Sequence, residues 1–374
     1  MKLFDVYPLF DIEPVKAQGS YIWDKEGNKY LDLYGGHAVI SIGHTHPHYV
    51  KRISDQLNNI GFYSNSVQNQ LQKDLAQKLG EVSGLPDYDL FLCNSGAEAV
   101  ENALKVASFK TGNKKVISFK KGFHGRTSAA VAITDNPKIV APINANHESV
   151  ILELNNLAAV EAELKKGDVC AVIIEGIQGI GGIVVPNSSF LEGLGDICEK
   201  YNAILILDEI QSGYGRSGKF FAFQYSNVKP DIITMAKGMG NGFPIGGVLI
   251  SEKFEPWFGM LGTTFGGNYL ACASALAVLE VIEEEKLVEN SFEVGEYLIT
   301  RAKKELKDCE ISGNGLMIGL KFAYPIGDLR KQLLFEDKIF TGVSGTNIIR
   351  ILPPLNLTKK EADLFMDKLV SRCI

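Results

Sequence analysis

The sequence has no long apolar run, and its opening Met1-Lys2-Leu3-Phe4-Asp5 lacks the apolar core of a signal peptide. Neither a membrane span nor export is expected, and the cytoplasm is the predicted location. A basic stripe is missing too: 38 Lys and Arg are interspersed with 44 Asp and Glu for a net charge of -6. That balance argues against nucleic acid or an anionic membrane as a partner. Cysteine is sparse. Cys93, Cys170, Cys198, Cys272, Cys309 and Cys373 are scattered without a C-x-x-C spacing, which excludes a disulfide frame or zinc site and predicts reduced, mostly buried side chains. His44, His46 and His48 alternate around Pro47 with no acid or cysteine close in sequence, a pattern that predicts a structured turn and no metal. No repeat, low-complexity tract or flexible interdomain linker occurs. The glycine-rich stretch Gly176 to Gly182 lacks the G-x-G-x-x-G spacing, which counts against a nicotinamide-binding oxidoreductase.

What the chain does have is length and periodicity. Its 374 residues suffice for a large core and a second lobe. Short apolar runs (Val116 to Phe119, Ala171 to Ile174, Ala203 to Leu207, Ile232 to Met235) alternate with helical patterns such as Phe190 to Tyr201. That alternation predicts an α/β fold with a mostly parallel sheet between helices and ligands at the carboxyl ends of its strands. Charged helical patterns at Glu296 to Lys307 and Thr358 to Val370 flank strand-like Leu316 to Phe322 and Asn347 to Leu352. The expected division is an N-terminal segment 1–46 of a smaller α+β lobe, a large ligand-binding domain 47–270, and a linking helix with a C-terminal small domain, 271–374.

Two of the buried runs end in chemistry. Asp208 closes Ala203 to Leu207, and Lys237 follows Ile232 to Met235 inside Ala236-Lys237-Gly238-Met239-Gly240. Taken singly, a strand-end Asp is usually a turn acceptor and a lone Lys a solvated charge. An acid and an amine from neighbouring buried strands are together what pyridoxal phosphate (PLP) requires: the amine condenses with the cofactor aldehyde, and the carboxylate holds the ring nitrogen protonated. A phosphate anchor stands at Ser95-Gly96-Ala97, after the apolar run Leu90 to Cys93 and before a helical pattern to Phe109. There a helix N-terminus favours a dianion, although an ordinary capped turn has the same look. Gly122-Phe123-His124-Gly125-Arg126-Thr127 offers Phe123 to stack on a planar ring and Arg126 to clamp a carboxylate. Thr263 and Thr264 place two hydroxyls on a loop before the helical pattern Leu270 to Glu284, as caps or as phosphate ligands.

These elements, in this order, resemble the class III, or ω-amino acid, aminotransferases of fold type I, and within them the acetylornithine and succinylornithine aminotransferases. Gly19-Ser20-Tyr21-Ile22-Trp23-Asp24, Gly43-His44-Thr45-His46-Pro47, Asp208-Glu209-Ile210-Gln211-Ser212-Gly213 and Arg350-Ile351-Leu352-Pro353-Pro354 extend the resemblance over essentially the whole chain. It implies PLP as cofactor, with Lys237 as its covalent anchor, Asp208 on the ring nitrogen, Gln211 beside the phenolic oxygen, Phe123 stacked on the ring, and Gly96 and Ala97 at the phosphate. It implies a homodimer with shared active sites, Thr264 being the threonine lent across the interface. Thr263 stands where the family has a substrate-contacting serine. Arg126 matches the arginine for the α-carboxylate of acyl-ornithine. Arg350 matches the one for the α-carboxylate of glutamate or 2-oxoglutarate, and Glu175 the carboxylate that pairs with that arginine when the longer substrate is bound.

The chain departs from the family in one stretch. Where relatives read Glu-Pro-Ile-Gln-Gly-Glu-Gly-Gly, this sequence has Gly176 for the proline and Ile180 for the second glutamate. The change is expected to add backbone freedom and remove a nearby carboxylate. The activity the resemblance implies is transamination of N-acetyl- or N-succinyl-ornithine with 2-oxoglutarate, giving N-acyl-glutamate 5-semialdehyde and glutamate, in arginine biosynthesis. Free ornithine or 4-aminobutyrate as donor is the nearest alternative, and a non-catalytic PLP carrier a more distant one.

Overall fold

The computed structural model describes residues 1–373. Fourteen strands are defined: β1 (Pro14–Gln18), β2 (Tyr21–Asp24), β3 (Lys29–Leu33), β4 (Asp89–Cys93), β5 (Lys115–Phe119), β6 (Ser149–Leu152), β7 (Val169–Glu175), β8 (Ile204–Asp208), β9 (Ile232–Met235), β10 (Gly246–Ile250), β11 (Cys309–Asn314), β12 (Met317–Phe322), β13 (Ile339–Ser344) and β14 (Ile348–Ile351). They form two seven-stranded sheets of an α/β fold.

The larger sheet has the order β4-β10-β9-β8-β7-β5-β6. Only β10 runs against its neighbours; the pairs from β9 to β6 are parallel. Strands β7, β8 and β9 are buried along their whole length, so apart from the acids that end β7 and β8 and Thr234 they are apolar, as a sheet covered on both faces demands. The helix Gly96–Thr111 turns Ala99, Ala103 and Ala107 inward, and small side chains at that spacing let it lie close on the sheet. A second helix, Tyr269–Glu284, is buried on nearly every side, which is why its sequence is apolar all round.

The smaller sheet, ordered β1-β2-β3-β13-β14-β12-β11, draws strands from both ends of the chain. β3 and β13 pair in parallel across some three hundred residues. The covering helices Leu287–Glu305 and Lys359–Arg372 bury Val294, Leu298, Phe365 and Leu369 in a separate core. Arg216, 2% exposed, donates to the carbonyls of Ile40, Leu316 and Pro353 and so ties the two sheets' loops together.

The alternating histidines turn to three separate carboxylates: His44 to Asp32 (2.9 Å), His46 to Glu285 (2.8 Å) and His48 to Glu280 (2.5 Å). Acids distant in sequence supply the partners that local reading did not find. Among the described residues, no helix is long and apolar enough to cross a membrane.

Candidate active site

Parallel strands place their last residues side by side. Glu175 ends β7 and Asp208 ends β8 in register with it, with Thr234 of β9 opposite Asp208. Lys237 lies three residues further on, at φ +44°. A left-handed backbone at a non-glycine residue is strained by about 1–3 kcal/mol, and such strain concentrates at functional sites. A cavity of about 420 Å³ opens above these strand ends. Glu175, Asp208, Gln211 and Lys237 line its floor; Ser95, Gly96 and Ala97 form one wall, and Phe123 and Arg126 another.

Asp208 is 4% exposed. Its Oδ1 accepts the Ile210 N–H (3.1 Å), and its Oδ2 accepts Nδ1–H of His124 (2.7 Å). His124 is the one functional neighbour that the sequence reading passed over, although it sits inside the Phe-His-Gly-Arg motif. Burial opposes its cation, but the hydrogen bond to Asp208 and that group's charge prevail, and its pKa stands above the usual histidine range. The Lys237 amine is pushed below the lysine range by burial, with Arg350 adding to the effect and Asp208 and Glu175 resisting it. A lysine so placed is biased toward the neutral, nucleophilic amine.

The helix Gly96–Thr111 begins at this cavity. Ser95 caps it, its hydroxyl accepting the Glu98 N–H at 3.2 Å, while Glu98 reaches back to the Asn94 N–H. The capping role read from the sequence therefore holds for the Ser95 side chain. Backbone N–H groups of Gly96 and Ala97, in the first turn, have no partner within the helix and lie at the cavity wall, where they are available to an anion. Gln211 donates to the His37 carbonyl (3.2 Å) and leaves its buried Oε1 without a partner. An orphaned buried acceptor beside an amine, a strand-end acid and a helix N-terminus fits a polar, planar, phosphorylated ligand.

Glu175 and Arg350 do not pair directly. Glu175 accepts the N–H groups of Phe123 (3.0 Å) and Gly179 (2.9 Å), and burial pushes its carboxyl up to about 7. Arg350, 4% exposed, donates to the carbonyls of Val343 (3.0 Å) and Gly179 (3.3 Å). One residue, Gly179, thus joins the two through the peptides on either side of it. The freedom expected of Gly176 is not what the structure uses: a Cβ there would run into the Glu209 carboxyl, and one at Gly179 into Oε1 of Gln211. At both positions an added side chain would have to displace the end of a buried neighbouring side chain.

Neither Thr263 nor Thr264 lines this cavity, although Thr263 bonds Asn94, which does. Thr263 Oγ1 accepts from Gly266 N–H (3.1 Å) and Asn94 Nδ2 (3.3 Å); Thr264 is exposed.

An amine, a histidine-held carboxylate and a helix N-terminus around one cavity define a PLP site on a fold type I scaffold. The family model for class III aminotransferases matches residues 5–373, and the chain belongs to the class III aminotransferases, which are PLP-dependent enzymes moving an amino group between an amino acid and a keto acid. It is 41% identical to the acetylornithine aminotransferase of Archaeoglobus fulgidus, over 93% of this chain and 92% of that protein. Identity to the acetylornithine aminotransferase of Bacillus subtilis is 40%, over 98% and 96%. Among solved structures, the ornithine aminotransferase of Toxoplasma gondii superposes with a TM-score of 0.91 at 28% identity, over 97% of this chain and 90% of that one.

Proposed function

We propose that this enzyme transaminates N-acetyl-ornithine or N-succinyl-ornithine with 2-oxoglutarate, yielding N-acyl-glutamate 5-semialdehyde and glutamate in arginine biosynthesis, as a homodimer with shared active sites in the cytoplasm. The observation that carries the reading is the 40–41% identity to acetylornithine aminotransferases over nearly the full length of both chains. The geometry agrees with it. Bound PLP supplies an aldehyde that takes up the amino group and a ring that withdraws electrons from the reacting carbon.

The chain's own residues do the rest. Lys237 anchors the cofactor and, once released, holds and moves the proton of the reacting carbon. Asp208, fixed by His124, faces the ring nitrogen; Phe123 covers the ring; Gln211 is the neighbour of the phenolic oxygen. Gly96 and Ala97 N–H groups hold the phosphate, assisted by Thr264 of the second subunit. Arg126, exposed at the cavity mouth, holds the carboxylate of acyl-ornithine remote from the reacting amine. Arg350 holds the α-carboxylate of glutamate or 2-oxoglutarate, and Glu175 balances it when acyl-ornithine is bound. Thr263 contacts substrate through its hydroxyl.

The similarity to ornithine aminotransferase structures favours a second reading, in which free ornithine is the donor. Competing donor assays with 2-oxoglutarate separate the two. The proposal expects kcat/KM for an acyl-ornithine to exceed those for ornithine and 4-aminobutyrate, and the reverse order overturns it.

A further inference from the structure

Lys237 opens a turn whose shape its own residues do not favour. Both ends of it, Lys237 at φ +44° and Asn241 at φ +45°, are left-handed although neither is glycine. Such strain persists only where surrounding contacts over-determine the backbone. Within the turn, Met239 N–H donates to the Ala236 carbonyl (2.9 Å) and Gly240 N–H to the Lys237 carbonyl (3.1 Å). The remaining bonds come from far away in the chain. The Ser41 hydroxyl donates to the Gly238 carbonyl (2.7 Å), and the Tyr49 hydroxyl to the Gly240 carbonyl (2.7 Å). Asn241 returns the contact: its Oδ1 accepts the N–H groups of Ser41 (2.8 Å) and Ile42 (3.1 Å), and its Nδ2 donates to the Gly43 carbonyl (3.0 Å). Ser41 is 1% exposed and Asn241 5%, so water is no substitute for a lost partner.

Ser41 is itself anchored on its other side. Its carbonyl accepts the Leu355 N–H (2.7 Å), just beyond Pro353 and Pro354, whose rings fix φ and stiffen the exit from β14. The carbonyl of the preceding Ile40 accepts from buried Arg216 (3.3 Å). One serine thus ties the lysine turn of the larger sheet to the strand exit behind Arg350 in the smaller one. We propose that Ser41, with Asn241 as its partner, is a positioning residue for Lys237, fixing the place from which that amine moves the substrate proton. The inference rests on the reading of Lys237 as cofactor anchor and proton carrier. Neither Ser41 nor Asn241 lines the cavity, so both act through the backbone of residues 237–241. Proton transfer needs heavy atoms within hydrogen-bond reach, and a misplacement of about 1 Å costs about a hundred-fold in rate. Substrate binding, which draws on other elements, is far less sensitive to this turn.

Two variants test the proposal, each removing one half of the clasp. Ser41→Ala deletes the donor to Gly238, and Asn241→Gly deletes the returning contacts while keeping a residue at ease with left-handed backbone. If one of them does not fold, the other carries the test. The PLP-loaded enzymes are followed through single turnovers with L-glutamate and with L-glutamate deuterated at the α-carbon. The apoenzymes are followed by the rate at which they capture added PLP. In both variants kcat should fall about ten-fold, the effect of roughly half an ångström of misplacement, while KM stays within about two-fold. The deuterium isotope effect should rise as the proton step becomes the slow one, and PLP capture should slow. Ser274→Ala is the control, since it removes an equally buried hydroxyl bond (2.8 Å to the Ala271 carbonyl) from the helix Tyr269–Glu284. Its isotope effect should equal that of the wild type. Wild-type kcat and isotope effect in the folded variants overturn the role of Ser41 and Asn241, as does an equal rise in Ser274→Ala, which makes the change a general loss of rigidity. If borohydride reduction of the wild type places the cofactor on another lysine, the reading of Lys237 falls and this inference with it.

Discussion

At the scale of single residues, Lys237 is the most exposed claim. Lys237→Ala is expected to keep the fold and the phosphate contacts and to lose essentially all turnover. After borohydride reduction of wild-type enzyme, peptide mass spectrometry should find the cofactor on Lys237, and recovery on any other lysine overturns the assignment. Asp208→Asn is expected to cut the rate by orders of magnitude. An amide does not hold a protonated ring nitrogen, the charged hydrogen bond is worth about 1.5–3 kcal/mol, and buried His124 loses its carboxylate. Near-normal turnover in folded Asp208→Asn identifies the wrong acid. The arginines divide the labour between half-reactions. Arg350→Lys removes a planar fork that already spends two donors on carbonyls, so the glutamate half-reaction should slow about ten- to a hundred-fold, while single-turnover reaction with acyl-ornithine is largely spared. Stopped-flow traces of each half-reaction decide it, and equal losses in both refute the division.

Elements differ in how plainly the sequence announces them. The run Ile232 to Met235 has the same span in sequence and structure, because a strand buried on both faces needs an unbroken apolar stretch and little else is spelled that way. β10 escaped the reading. It opens on Gly246 and Gly247 and owes its place to antiparallel hydrogen bonds with β4 and β9, a tertiary choice that overrides weak local preference. That Lys237, Asp208, Gly96 and Ala97 come together was legible from strand ends and a strand-to-helix turn, and the structure brings all four to one cavity. The His124–Asp208 pair was not, since it joins side chains 84 positions apart. Gly176 shows the same limit: the residue reads as flexible, whereas the fold makes it a point of close approach to Glu209. Restoring bulk there should therefore destabilise. Gly176→Ala is expected to lower unfolding free energy by about 1–3 kcal/mol, the usual penalty for overpacking a dense site. Shortening the neighbour in Gly176→Ala/Glu209→Asp should show non-additive recovery in denaturant midpoints. A stable Gly176→Ala single variant disproves the steric account.

For the whole molecule, the decisive question is whether one chain completes its own site. The cavity gathers Lys237, Asp208, Phe123 and the Ser95 to Ala97 turn from a single chain, yet Thr264 is exposed and does not line it. Large apolar side chains stand exposed on neighbouring surfaces, among them Phe62, Tyr63 and Phe265, with Phe62 and Phe265 in contact at 5.3 Å between ring centroids. An apolar surface beside an unused hydroxyl is what a two-fold interface that lends Thr264 to the partner's phosphate would present. Complementation tests this directly. Thr264→Ala alone should weaken PLP binding and leave little activity at limiting cofactor, and Lys237→Ala alone should be inactive. Mixed by unfolding and refolding together, half of the dimers pair one variant with the other. In each of these one site has intact Lys237 and receives Thr264 from the Lys237→Ala chain. Activity should then return to about a quarter of the wild-type value at limiting PLP, one good site in every second dimer. If Thr264 serves the site of its own chain, both sites of the mixed dimer carry a lesion, and the mixture stays as inactive as its parents.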